Sequence, residues 1–198
     1  LLDDDGEKVV TLEARAEGWA AGLQLAALAL REASDQAAFV RAFTGSNRYV
    51  IDYLAEEVLD ALPVYLRHFL LQTAILERMC GPLCDAALGI SGDGLSDDSY
   101  SQVVLAELER RSLFLIPLDD ERRWYRYHHL FAEVLQARLM SGSSRAAIAD
   151  LHRRASRWFD QQGLADEAIQ HAVRANDYEL VADLVEQYLA IGLSRNDD

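Results

Sequence analysis

The residues that could do chemistry in this sequence are two cysteines, one lysine and five histidines, and their spacing favours no catalytic site. Cys80 and Cys84 lack the two further Cys or His ligands that a zinc site needs. We therefore expect two buried thiols on one helix, in a reducing cytoplasm. The sole lysine, Lys8, lacks the preceding glycine and the following hydroxyl of a phosphate-binding loop.

The remaining titratable residues point to no enzyme either. The 33 carboxylates are spread along the chain, as on solvated helical surfaces, and no Gly-x-Ser-x-Gly or His-Glu-x-x-His motif is present. We expect His68, His152 and His171 to be surface or helix-packing residues. The sequence therefore predicts no catalytic residue and no metal ligand.

Composition favours helices and argues against two classes of partner. A hydrophobic fraction of 51% with only 11 Gly and 3 Pro is typical of a mainly α protein. The net charge of −14 disfavours direct binding to DNA. An acidic start and the lack of a long apolar run predict no signal peptide and no membrane contact, hence a cytoplasmic protein. Because the first residue is not Met, we expect a piece of a longer protein.

The middle of the chain has the element order of a winged helix. Three helical patterns precede a hairpin that turns at Asp119-Asp120-Glu121, and a helix ending near Leu139 closes the unit. Residues 89–99 are loop-like. The predicted elements are helices from Pro63, over Gly81–Leu88 and over Ser101–Arg111, and strands over Leu113–Leu118 and Arg122–Tyr127.

Such a module invites a DNA-binding interpretation, which the side chains do not favour. The helix over Ser101–Arg111 presents apolar and acidic groups where base reading uses Arg, Asn or Gln. Three wing arginines could contact phosphates, or could pair with the turn acids. We favour pairing. The arginines are Arg122, Arg123 and Arg126, and the acids are Asp119, Asp120 and Glu121.

Beyond Gly142 the pattern becomes regular. Apolar positions predict three short helices, the first ended by Gly163 and the second near Asn176. Short antiparallel helices joined by tight turns are how tetratricopeptide-like (TPR-like) arrays begin. The predicted fold is mainly α: a helical bundle, a winged-helix-like module with one β-hairpin, and TPR-like antiparallel helices.

Several strings carry a family resemblance. The stretch over residues 16–27, which contains Gly18-Trp19-Ala20-Ala21-Gly22, resembles the helical-domain signature of large ATP-dependent LuxR-type transcriptional regulators. These are the MalT-like members of the STAND class of signalling NTPases. Residues 48–54 and 69–76 are similar to the next stretches of that family, and residues 113–118 with 125–131 to its winged-helix end.

The resemblance implies three domains: residues 1–62 as the helical domain of an NTPase module, 63–140 as a winged-helix-like domain, and 141–198 as the start of a helical-repeat sensor. It implies no cofactor in this chain, with ATP or ADP and Mg²⁺ bound by an NTPase domain of the parent protein. The implied partners are that NTPase domain, a small-molecule or protein inducer bound by the repeats, and further copies of the parent.

The same resemblance implies a nucleotide-sensing role for three residues. His128 matches the histidine of a Met-His-Asp-Leu motif that contacts the ADP phosphate, although His129 replaces the aspartate. Gly18 and Ala20 lie in a stretch similar to a Gly-Leu-Pro-Leu-Ala-Leu motif near the adenine, with Ala20 at the proline position. From the residues alone we interpret His128 as a structural histidine at the end of a strand; with the resemblance, a nucleotide-sensing role is an equal alternative. The whole chain is interpreted as the regulatory middle of such a regulator; the alternative is a stand-alone adaptor that binds a protein partner.

Overall fold

A computed structural model describes residue 59 and residues 61–90, 99–111 and 114–194. Across them the chain is mainly helical with one two-stranded antiparallel sheet, which confirms the predicted fold class. Helices predicted before residue 59 lie outside the described residues. The elements are α1 (Val64–Thr73), α2 (Gly81–Leu88), α3 (Tyr100–Arg110), β1 (Leu115–Pro117), β2 (Tyr125–Tyr127), α4 (His129–Gly142), α5 (Arg145–Gln161), α6 (Ala165–Arg174) and α7 (Tyr178–Ser194).

The first two helices begin where proline permits a first turn. Pro63 is the N-cap of α1, and a proline also stands in the first turn of α2. Gly89 ends α2 in the left-handed region at φ 71°, and its N–H reaches the carbonyls of Ala86 and Asp85. Ser99 caps α3 by accepting a hydrogen bond from the Gln102 N–H at 3.2 Å.

The hairpin is shorter than the sequence predicts but lies where it was expected. Leu115 pairs with Tyr127, and Pro117 with Tyr125. Asp119 holds the turn by accepting the Arg123 N–H at 2.8 Å. Met79 extends the pairing, because it exchanges two 2.8 Å backbone hydrogen bonds with Tyr125. The sheet is therefore joined to the segment between α1 and α2.

The core of the winged helix lies between the helices and the inner face of β2. Its largest buried side chains include Leu66, Leu70, Tyr125 and Phe131. The Tyr127 hydroxyl lies 2.7 Å from Thr73 Oγ1 within this core.

The two cysteines belong to the same core. Both thiols are buried, as the sequence predicted, with Cys84 inside α2 and Cys80 as its N-cap. Burial raises the pKa of Cys80 to about 11 and raises that of Cys84 well above the ordinary value of a thiol, so neither thiol is a ready nucleophile.

The last three helices follow one another through short turns. Gly163, at φ 72°, and Asn176, at φ 55°, lie in the left-handed region just after α5 and α6, where the sequence predicted that the two helices end. Helix α5 packs against both α2 and α6, and α6 packs against α7. No helix among the described residues is long and apolar enough to cross a membrane.

Candidate functional site

His128 stands at the junction between the wing and the closing helix. It follows β2 directly and is the N-cap of α4. Its backbone N–H donates to the Phe114 carbonyl at 2.9 Å, and its own carbonyl accepts from the Ala132 N–H at 2.9 Å. The side chain is half-buried. Gly18 and Ala20 lie outside the described residues, so the nucleotide-sensing role of all three residues stays a prediction.

Two of the three wing arginines, Arg122 and Arg123, form ion pairs, and one of these pairs has a predicted partner. The predicted pairing of Arg126 stays a prediction. Arg123 pairs with Glu121 at 3.2 Å, in agreement with the sequence analysis. Arg122 pairs with Glu109 of α3 at 3.1 Å, so its predicted pairing with the turn acids was wrong. The reason is that the turn folds against α3, where the Gln102 amide donates to the Arg122 carbonyl at 3.1 Å.

Two buried histidines meet where α5 packs against α6. The Nδ1 atoms of His152 and His171 lie 2.9 Å apart, and the side chains are 7% and 5% exposed. The Phe159 ring stacks on His171 with centroids 5.3 Å apart. Burial, the largest cause, lowers the pKa of each histidine to about 4. Both rings are therefore neutral at pH 7, with one donating its N–H to the other.

Beside this pair, four charged residues join the winged helix to α6. Arg174 of α6 contacts Glu77 at 2.6 Å, and Arg78 contacts Glu167 of α6. Glu77 and Arg78 are adjacent in the segment between α1 and α2. This segment therefore supplies the acid to one ion pair and the base to the other, and α6 supplies the opposite charges. The Arg174 guanidinium lowers the pKa of the Glu77 carboxyl. We call these four residues the crossed ion pairs.

A hydrogen bond, a cation–π contact and an aromatic contact extend the contact between the winged helix and the helices that follow it. The Arg154 guanidinium of α5 donates to the carbonyl of Ala87 in α2 at 2.6 Å. Arg78 also lies over the Trp124 ring, 5.0 Å from its centroid, and Trp124 meets Trp158 of α5 edge-on. The winged helix and the following helices therefore share one continuous contact, which we call the junction.

The junction consists of ion pairs, hydrogen bonds and aromatic contacts between the winged helix and the helices α5 and α6. Among the described residues no group of three or more His, Cys, Asp or Glu side chains could hold a metal ion. A groove beside the crossed ion pairs, with a volume of about 370 Å³, is lined on both sides by charged residues of the junction.

The sequence predicts the elements of the junction but not the contacts between them. His152 and His171 are helix-packing residues, one of the two roles expected for them, and His68 is exposed. A signal for the pair existed, because His152 precedes Ser156 and Phe159 on the buried face of α5 by four and seven residues. No local pattern marked the crossed ion pairs, whose partners are 89 and 97 residues apart.

Comparison with protein families gives this part of the chain a class. Residues 55–147 match the family model of the MalT winged helix domain. The match covers α1 to α4, the hairpin and the start of α5. This region is therefore similar to the MalT winged helix domain. A winged helix is a non-catalytic fold, and the match supports a regulatory region of a MalT-like regulator.

The chain is also similar to part of much longer proteins that are named as serine/threonine-protein kinases. It is 41% identical over 193 residues to serine/threonine-protein kinase PknK of Mycobacterium tuberculosis, strains CDC 1551 / Oshkosh and ATCC 25618 / H37Rv, and of Mycobacterium bovis. The alignment covers 94% of this chain but only 17% of each relative. It therefore extends past the region that matches the MalT winged helix domain into the helices that complete the junction.

Proposed function

We propose that this chain is the regulatory middle segment of a large MalT-like signalling protein and couples nucleotide state and inducer sensing to an output. The MalT-type winged helix would receive the nucleotide state from an NTPase domain of the same protein, which would bind ATP or ADP with Mg²⁺. The following helices would begin the sensor arm. Self-association of the parent would produce the active form.

The observation that carries this proposal is the junction. The crossed ion pairs, the Trp124–Trp158 contact and the Arg154–Ala87 hydrogen bond connect the winged helix to α5 and α6. A flexible linker would let the winged helix and the following helices move independently. At a packed junction, a displacement of one part displaces the other. Coupling of this kind requires a contact with two or more arrangements, and exposed ion pairs exchange partners at low cost.

The kind of output domain that is regulated depends on the rest of the parent protein. The LuxR resemblance suggests a transcription activator that reads DNA through a separate helix-turn-helix domain. The similarity to PknK suggests instead that the regulated domain is a serine/threonine kinase. In both cases the winged helix itself faces protein, because the wing arginines Arg122 and Arg123 are paired with glutamates and the chain carries a net charge of −14.

The proposal is tested in the longer protein by exchanging charges at the junction. Glu77→Arg places two cations together and should reduce the dependence of the output on ADP and ATP. Glu77→Arg combined with Arg174→Glu should restore it. The output is phosphotransfer or promoter activity, whichever domain the protein carries. Arg123→Glu on the wing is the matched control, since Arg123 lies outside the junction. Unchanged nucleotide dependence in Glu77→Arg would contradict the proposal.

The nucleotide-sensing role of His128 is a separate part of the proposal. His128→Ala in the longer protein should weaken ADP retention and raise inducer-independent output, because a charge-assisted hydrogen bond to a phosphate contributes on the order of 1.5–3 kcal/mol. Thermal unfolding of this chain with the same substitution is the comparison. A large loss of stability with unchanged basal output would assign His128 a purely structural role.

The second candidate function is a stand-alone adaptor that binds a protein partner through its helices. It is favoured by the exposed apolar side chains of α7, described below. The longer reading frame discriminates the two, because the regulatory proposal requires a phosphate-binding loop encoded upstream of Leu1.

A further inference from the structure

Helix α7 has two apolar faces, and only one of them is used within the described residues. Leu184 is buried, and Leu180, Val181 and Tyr188 are half-buried beside it, so this face packs on the preceding helices. The Tyr188 hydroxyl fixes it by donating to the Asp160 carboxylate of α5 at 3.0 Å.

The second apolar face of α7 is exposed. Tyr178, Ala182, Val185 and Leu189 follow one another at spacings of four, three and four residues, which places them in one row along the helix. Tyr178 is 71% exposed and Leu189 is 62% exposed. We call these four residues the outer row. Single exposed apolar residues need no explanation, but an aligned row of this spacing is what a helix presents to a partner helix.

A row of carboxylates runs along one side of the outer row. Glu179, Asp183 and Glu186 follow it at the same spacing, and all three are exposed. The sequence of α7 contains no Lys, Arg or His that could neutralise them. None of the ion pairs found among the described residues involves these three carboxylates.

We infer that the outer row of α7 docks an amphipathic helix whose apolar seam is flanked by lysine or arginine. The apolar seam would cover Tyr178, Val185 and Leu189, and the basic side chains would lie along the carboxylate row. A second copy of this chain fits poorly, because it would bring the same carboxylates and a further net charge of −14 to the contact. The inference does not depend on the proposed coupling of nucleotide state.

The test uses two synthetic helical peptides that share one apolar seam. One carries three lysines along the flank and the other carries three glutamates at the same positions. Fluorescence anisotropy with the intact 198-residue chain should show the lysine peptide binding on the order of tenfold or more tighter, since three attractive pairs replace three repulsive ones. The preference should shrink as NaCl is raised.

Three variants decide the outcome. Glu179→Lys, Asp183→Lys and Glu186→Lys together should reverse the preference toward the glutamate peptide. Val185→Asp should weaken both peptides, whereas Val173→Asp, at an exposed apolar position of α6, should not. Because all these positions are exposed, the circular dichroism spectra should stay unchanged, which separates lost binding from lost folding.

Two results would overturn the inference. One is equal binding of the two peptides, or no binding of either, to the folded chain. The other is a dimer of the chain, seen by analytical ultracentrifugation, that Val185→Asp dissociates; the outer row would then bind a second copy.

Discussion

His152 and His171 share a hydrogen bond between their Nδ1 atoms across the contact of α5 and α6, 2.9 Å apart and shielded from solvent. Two nitrogens at this distance can share one proton but cannot both carry one. The Arg174 guanidinium nearby also lowers the pKa of both rings, after burial itself. The contact therefore excludes a pair in which both rings are charged, and burial disfavours the charge on either ring.

The stability of the chain should depend on pH through this pair. An unfolded histidine has a pKa of about 6.5, whereas the folded pKa is about 4 for each. Between these values the unfolded chain binds more protons, so the contribution is complete above pH 6.5 and is lost as the pH falls toward 4. Urea unfolding at pH 7, 6, 5 and 4.5 should show the free energy of unfolding decreasing by a few kcal/mol over this range.

A variant separates the pair from other acid-sensitive groups. His171→Gln removes one of the two histidines that take up a proton on unfolding. The slope of the unfolding free energy against pH should therefore become shallower. The matched control is His68→Gln, because His68 is exposed, and its slope should equal that of the unmodified chain. Equal slopes for all three proteins would show that the pair does not titrate on unfolding.

The crossed ion pairs should contribute little to stability, which suits a contact that rearranges. The Arg174 and Glu77 side chains are 44% and 72% exposed, so water and salt screen their attraction. A double-mutant cycle with Glu77→Ala and Arg174→Ala should give a coupling free energy of about 0.2–1 kcal/mol in chemical unfolding. A value above about 2 kcal/mol would mean that the contact is rigid, and it would weaken the proposed switching role.

The buried hydrogen bond between Tyr127 and Thr73 should have a larger effect. The Thr73 hydroxyl donates to the Phe69 carbonyl at 2.7 Å, so it accepts from the Tyr127 hydroxyl at 2.7 Å. Tyr127→Phe should cost about 1 kcal/mol of unfolding free energy, since Thr73 keeps its other bond.

Thr73→Val should cost more than Tyr127→Phe, because it leaves the Tyr127 hydroxyl buried without a partner; a penalty of about 1–3 kcal/mol is typical. Thermal unfolding of both variants and of the double variant checks the order. If the two single variants were equal, or the order reversed, the Tyr127 hydroxyl would have a second partner when Thr73 is replaced.

The fold could be predicted from the sequence where local signals mark it. Pro63, Gly163 and Asn176 lie at helix ends as predicted, because their backbone preferences act within a turn of the chain. The strands were predicted too long. Pro117 ends β1, and the positive φ of Arg122 keeps that residue in the turn rather than in β2.

The junction could not be predicted in the same way. Glu77 and Arg174 stand in different elements and carry no pattern that relates them, since their contact is a product of how α6 packs on the winged helix. The pairing of Arg122 with Glu109 has the same origin. Such contacts depend on tertiary packing, which sequence spacing within one element does not encode.

The last prediction concerns the close approach of α2 to the start of α3. A Cβ added at Gly81 would lie 2.7 Å from the Gln102 Cβ and 2.9 Å from the Gln102 backbone nitrogen. Gly81 also donates its N–H to the Gln102 Oε1 at 2.9 Å, so separating the helices strains that bond. Gly81→Ala should therefore cost about 1–3 kcal/mol, a fall in Tm of roughly 2–10 °C.

Gly142→Ala is the matched control for this prediction, because a Cβ at Gly142 in α4 would meet nothing within 4 Å. It should leave stability unchanged or raise it by up to about 1 kcal/mol, since alanine restricts the unfolded chain. Differential scanning calorimetry of both variants measures the contrast. Equal melting temperatures would show that α2 and α3 are further apart than the 2.9 Å approach at Gly81 implies, and that the winged helix tolerates a side chain at this crossing.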